Sequence, residues 1–84
     1  LLERIAMSGR EIVNRTLGEI SLRDKYKLNL ITIKREMEVK RNGETIREQH
    51  LMGVPSNQTV IYNSDTIVVF GRSKDIQKFI EINQ

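Results

Sequence analysis

Two polar side chains stand six residues apart in an otherwise aliphatic setting: Arg23 and Asn29, among Leu17, Leu22, Leu28 and Leu30. A guanidinium grips a phosphate through two parallel hydrogen bonds, and a carboxamide can donate to a phosphate or to the edge of a base. Aliphatic neighbours accept the faces of flat rings. The same residues admit a plainer reading, in which Arg23 is solvated and Asn29 satisfies backbone at the edge of a sheet. Nothing else in the chain carries more chemistry. His50 is the single imidazole, and with Asp65 or Asp75 it makes no Ser/His/Asp machinery, because no nucleophile elbow accompanies them. Glu36, Glu38 and Asp24 lack metal-ligand spacing, so no metal site is expected. The scattered glycines form neither a P-loop nor a dinucleotide fingerprint. Asn14-Arg15-Thr16 and Asn57-Gln58-Thr59 match the glycosylation pattern and, without a secretory signal, are read as chance. A binding module is expected, not an enzyme.

The elements that must position these groups follow from local pattern. Leu2, Ile5 and Met7 suit a short opening strand, and Ser8 to Asn14 a polar connector. Thr16-Leu17-Gly18-Glu19 spells a capping box, so a helix is predicted from about Leu17 to Tyr26. Leu28 to Ile33 is apolar on both faces apart from Asn29, which predicts a central strand buried on each side and a partner for the amide. Alternation around Met37 and Val39, then Asn42-Gly43, predicts a half-exposed strand and a two-residue type I′ hairpin. The return strand, about Glu44 to Gln49, is polar and should project with little core. Pro55 lies in a turn, Val60-Ile61 is a short extended piece, and Asp65 to Phe70 is a second apolar strand. Ser73 is the expected N-cap of a terminal helix whose inner face holds Ile76, Phe79, Ile80 and Asn83. The fold class is α+β: a small mixed β-sheet with two helices and a projecting hairpin.

With 84 residues the chain is one small domain, and burial in so short a chain invites completion by a second copy or a larger parent. It begins at Leu1 without Met, which reads as a piece of a longer protein. The opening Leu1-Leu2-Glu3-Arg4 has no signal-peptide layout, and no apolar run approaches the roughly 20 residues of a membrane span. Absence of cysteine removes disulfides and thiol chemistry and suits a reducing compartment. The 14 Lys and Arg against 11 Asp and Glu are mildly asymmetric, with the excess in the first half. Spread over a surface, that excess reads as a solvated face, although one or two phosphates could be held.

Taken in order, Thr16-Leu17-Gly18-Glu19-Ile20, Leu22-Arg23, Tyr26, Asn29 to Arg35, Gly53-Val54-Pro55-Ser56, Thr59-Val60-Ile61, Asp65 to Gly71 and Ser73-Lys74-Asp75 resemble the TrkA C-terminal (RCK_C) domain over nearly the whole chain except residues 36–49. The resemblance implies a ligand-sensing regulatory domain that forms homodimers. Such domains belong to potassium channels and transporters, to antiporter-like or permease-like chains, or to DNA-binding transcription regulators. Several members bind cyclic di-AMP at the dimer interface. Carried over by position, Arg23 and Asn29 would meet phosphate, and Leu17, Leu30 and Pro55 would wall the adenine. Gly18 and Ser21 depart from the aliphatic and acidic residues frequent in the nucleotide binders, and residues 36–49 form a longer hairpin than the usual link. The implied function is regulation of potassium or cation transport, the alternative being the effector domain of a transcription regulator. The implied ligand is an effector and not a cofactor. The implied setting is cytoplasmic, held to the inner membrane face by a parent transporter or channel, without nucleic-acid contact by this domain.

Overall fold

The computed structural model describes residues 1–84. Seven elements follow one another: β1 (Leu2–Ala6), α1 (Leu17–Ile20), α2 (Leu22–Tyr26), β2 (Asn29–Arg41), β3 (Glu44–Leu51), β4 (Thr66–Phe70) and α3 (Ser73–Ile82). The strands form one four-stranded sheet in the order β1-β4-β2-β3. Every pairing is antiparallel, so the class is α+β as expected, but the sheet is not mixed. The reason lies in the connections. No strand here returns through a helix to lie parallel to its neighbour, the crossover that parallel pairing requires.

One face of the sheet carries the core. Ile5, Ile33, Ile67 and Val69 meet Met7, Ile12, Leu17, Ile20, Leu22, Leu28, Ile61, Ile76 and Phe79 in a single buried cluster. The Tyr26 ring stands edge-on to Phe79, with centroids 5.1 Å apart, and ties α2 to α3. The other face is largely open: Leu2, Ile31 and Phe70 are about half exposed, although Val68 is buried there. Burial of Leu28–Ile33 on both sides, read from its apolar run, is therefore corrected. A bulge at Ile31 causes the pattern, because β2 advances from Leu30 to Thr32 while β4 moves only from Val69 to Val68. The extra residue turns Ile31 outward and lets Leu30 and Ile33 share the inner face, which strict two-residue alternation forbids.

The single helix expected over Leu17–Tyr26 is interrupted. Ser21 adopts a left-handed conformation (φ 55°, ψ 56°), ending α1 and starting α2. On an unbroken helix Leu22 would sit about 200° round the axis from Ile20. The break lets Leu17, Ile20 and Leu22 all reach the core. The capping box forms as read: Thr16 Oγ1 accepts from Glu19 N at 3.2 Å, and Thr16 N donates to the Glu19 carboxylate at 3.0 Å.

The hairpin also forms as read. Asn42 and Gly43 both take positive φ (52° and 81°), and β2 pairs with β3 from Lys34–Leu51 out to Arg41–Glu44. It draws the molecule out to 45 Å in one direction against 24 and 23 Å in the others. At the terminal helix the reading shifts by one residue. Arg72 is the N-cap and Ser73 the first helical residue, because Asp75 and Ile76 donate to the Arg72 carbonyl. Asn83 is buried through hydrogen bonds and not as part of an apolar face. Its Oδ1 accepts from Ser8 N and Gly9 N, and its Nδ2 donates to the Ala6 carbonyl at 2.7 Å. No helix is long and apolar enough to cross a membrane.

Candidate ligand-binding cleft

β3 ends at Leu51 opposite Lys34, so the first residues of β2 have β4 on one side and no strand on the other. Helices α1 and α2 and the loop after β3 stand around this free edge. Between them lies an open cleft of about 420 Å³. Leu17 comes from the start of α1, Arg23 from α2, Asn29 and Leu30 from the edge of β2, and Pro55 from the loop. All five residues singled out in the sequence thus line one space, together with Gly18, Ser21, Leu22, Asp24, Leu28, Val54 and Asn57.

The polar groups in the cleft are unengaged. Arg23 and Asn29 are exposed, and neither side chain has an ion-pair or hydrogen-bond partner within the chain. The partner expected for a buried Asn29 is not needed, since water reaches the amide at the strand edge. Asp24 is the one carboxylate in the lining. A free guanidinium, a free amide and aliphatic walls suit an anion that also carries flat rings.

The loop is fixed against α1 by main chain. Leu17 N donates to Thr59 O and Gly18 N to Asn57 O, both at 2.9 Å, and Thr16 forms a bridge with Val60. A Cβ on Gly18 would stand 3.2 Å from the Asn57 carbonyl oxygen, so the missing side chain lets the loop close on the helix. That gives the Gly18 departure a physical reason. Thr32 Oγ1 donates to the Gly53 carbonyl at 2.8 Å and holds the loop's near end to β2.

The far end is held by a pair that the sequence did not reveal. Arg35 on β2 forks onto Asp65, with Nε to Oδ1 at 3.0 Å and Nη2 to Oδ2 at 2.8 Å. Nη2 also donates to the Val60 carbonyl at 2.8 Å, and the guanidinium lies over the Tyr62 ring, 4.1 Å from its centroid. The hydrogen bonds to Asp65 hold the Arg35 pKa above its ordinary value. Asp65 is 2% exposed and its Oδ2 also accepts from Tyr62 N. A polar residue at the head of an apolar strand was the only signal available. The match in chain position lies thirty residues away.

His50 lies outside the cleft, on β3, where Nε2 sits 3.1 Å from the Glu48 carboxylate. Among the helices, Glu19 has its pKa lowered, first by the backbone hydrogen bond from Thr16 and then by the Thr16 hydroxyl.

Comparison with known proteins meets this geometry from outside. No curated protein matches the chain in sequence. Among solved structures, the chain is similar to an RCK_C domain dimer of S. agalactiae BusR in complex with c-di-AMP, with 17% identity and a TM-score of 0.69 over 96% of this chain and 92% of that one. It is similar to the RCK C domain of the potassium transport protein KtrA in complex with cyclic diadenosine monophosphate, with 18% identity and a TM-score of 0.66 over 95% and 79%. It also matches S. agalactiae BusR in complex with its busAB-promotor DNA, with 16% identity and a TM-score of 0.66, covering 96% of this chain but 36% of that one. These likenesses are of fold, and the sequence match that accompanies them is to the family described as the TrkA-C domain, over residues 1–84. On that match, and with a sheet, helices and cleft in the order the family's motifs require, the chain belongs to the TrkA-C domain family.

Proposed function

We propose that this chain is a ligand-sensing regulatory domain that pairs with a second copy around cyclic di-AMP and serves a potassium or cation transport system. The gathering of Leu17, Arg23, Asn29, Leu30 and Pro55 into one cleft carries the reading. A volume of about 420 Å³ falls in the range of small-molecule sites and suits one nucleotide unit. A two-fold symmetric dinucleotide needs two such clefts, and two copies of one chain offer identical groups on either side of an axis. Arg23 and Asn29 take the phosphates, and Leu17, Leu30 and Pro55 enclose the adenines. Binding favours the paired arrangement, and the protein carrying the domain converts that preference into gating, because a ligand shifts an equilibrium only through differential affinity for its states. The role proposed for the domain is binding and not catalysis. The c-di-AMP complexes of the BusR and KtrA domains support the ligand, and the potassium transport role in the KtrA description supports the setting.

A second reading keeps the sensor and changes its output. The likeness to a promoter-bound BusR chain favours an effector domain of a DNA-binding regulator, in which another part of the chain contacts DNA. A winged-helix segment in the same polypeptide would decide for that reading, and membrane spans or a dinucleotide-binding strand-turn-helix for transport. Titration calorimetry with cyclic di-AMP tests the site itself. Saturable heat is expected with the intact domain, and Arg23→Ala should weaken binding by roughly 10- to 100-fold, the worth of a hydrogen bond to a charged group. Undetectable heat at high micromolar nucleotide would remove the ligand assignment.

A further inference from the structure

The basic residues that looked dispersed in the sequence are partly concentrated by the fold. On the far side of α2 from the cleft, and sharing no residue with it, a second groove of about 800 Å³ runs between α2 and α3. Lys25 and Lys27 stand on one wall, and Lys74, Lys78 and Arg72 on the other. None of the four lysines has a carboxylate within ion-pair distance. Arg72 does, donating from Nε to Asp75 at 3.2 Å, and Asp75 is itself nearly buried, so that pair is internally neutral. Glu11 and Glu81 are the other acids of the lining. The remaining charge is four ammonium groups against two carboxylates, from a chain whose whole net charge is +3.

We infer that this groove is a docking site for an acidic polypeptide segment of a partner protein. Two observations choose that occupant. The lysines come from both walls, Lys25 and Lys27 from the end of α2 and Lys74 and Lys78 one helical turn apart on α3. The groove also offers an apolar floor, with the ring of Tyr26 half-buried and Ile82 40% exposed, which an apolar side chain between carboxylates would cover. A flat lipid surface cannot enter a furrow between two helices, whereas an extended chain can.

The test is fluorescence anisotropy of a labelled peptide in which Glu pairs alternate with Leu, titrated with the intact domain at near-physiological salt. Binding should be saturable. Lys74→Glu/Lys78→Glu should weaken it on the order of tenfold, because two attractions become repulsions. Arg4→Glu/Lys40→Glu changes the net charge equally at sites outside the groove and should leave affinity nearly unchanged. Circular dichroism shows that each variant is folded, and cyclic di-AMP calorimetry of the groove variant should match the parent, so failure of this site and failure of the cleft are read separately. Absence of peptide binding, equal loss in both variants, or preference for phosphatidylglycerol vesicles or inorganic polyphosphate over the peptide would each overturn the proposal.

Discussion

Arg35 and Asp65 show how a single pair supports a site it does not touch. Asp65 is almost sealed from water and accepts from Arg35 twice and from Tyr62 N once, so its carboxylate is satisfied only while the guanidinium is present. Arg35→Met leaves an uncompensated buried charge and should cost about 3–5 kcal/mol. A domain of this size has only about 5–10 kcal/mol in total, so the urea midpoint should fall steeply. Arg35→Lys should fall between the two, since an ammonium cannot reproduce the fork. Arg35→Met with Asp65→Leu should recover much of the loss, and a double variant no better than Arg35→Met would show that the pair's worth lies elsewhere. The raised Arg35 pKa keeps its charge throughout the accessible range, so no pH dependence arises from that side. Asn83 acts similarly for the chain's two ends, joining Ala6, Ser8 and Gly9 to the close of α3 through one amide.

Among the elements, the hairpin is the one with least core, and side-chain pairs along its face add to its main-chain ladder. Arg41 donates from Nη2 to the Glu48 carboxylate at 2.9 Å, and His50 stands on the same carboxylate's other oxygen. Hydrogen bonds from His50 first, then from Arg41, hold the Glu48 pKa below its ordinary value of 4.5. A lowered folded-state pKa means that the contribution is fully present above the unfolded value and disappears as pH falls through the folded one. The hairpin should therefore loosen as the medium is acidified below about 4.5, seen as converging amide shifts in an NMR titration. Glu48→Gln should flatten that response, and an unchanged acid transition in the variant would assign it to other carboxylates. The Asn42-Gly43 turn is independent of this chemistry, since both positive φ values are local requirements of the type I′ turn.

At the scale of the whole molecule, a free β2 edge beside an open cleft leaves the site half-enclosed in one copy. If the dinucleotide occupies two clefts at once, it binds the pair and not the single chain, and mass action must strengthen pairing. With free cyclic di-AMP about a hundredfold above its Kd, linkage supplies roughly 2.7 kcal/mol, so the dimer dissociation constant should fall roughly a hundredfold. Sedimentation velocity across a dilution series reads this directly. A monomer–dimer balance indifferent to nucleotide would contradict the shared site even if calorimetry showed binding to one copy.

What the residues determined by themselves was everything settled within a few positions of chain: the Thr16–Glu19 capping box, the Asn42-Gly43 turn, the apolar strand before Gly71, and the ordered motifs that pointed to the TrkA-C family. The five cleft residues were also legible there, through those motifs, as candidates. Tertiary structure alone decided the break at Ser21, the bulge at Ile31, the Arg35–Asp65 clamp and the furrow of lysines between α2 and α3. Each of these depends on two surfaces meeting across a long stretch of chain. Local propensity is blind to that meeting, because burying Leu22 beside Ile20, or Leu30 beside Ile33, outweighs the regular helix or strand that either segment would form alone.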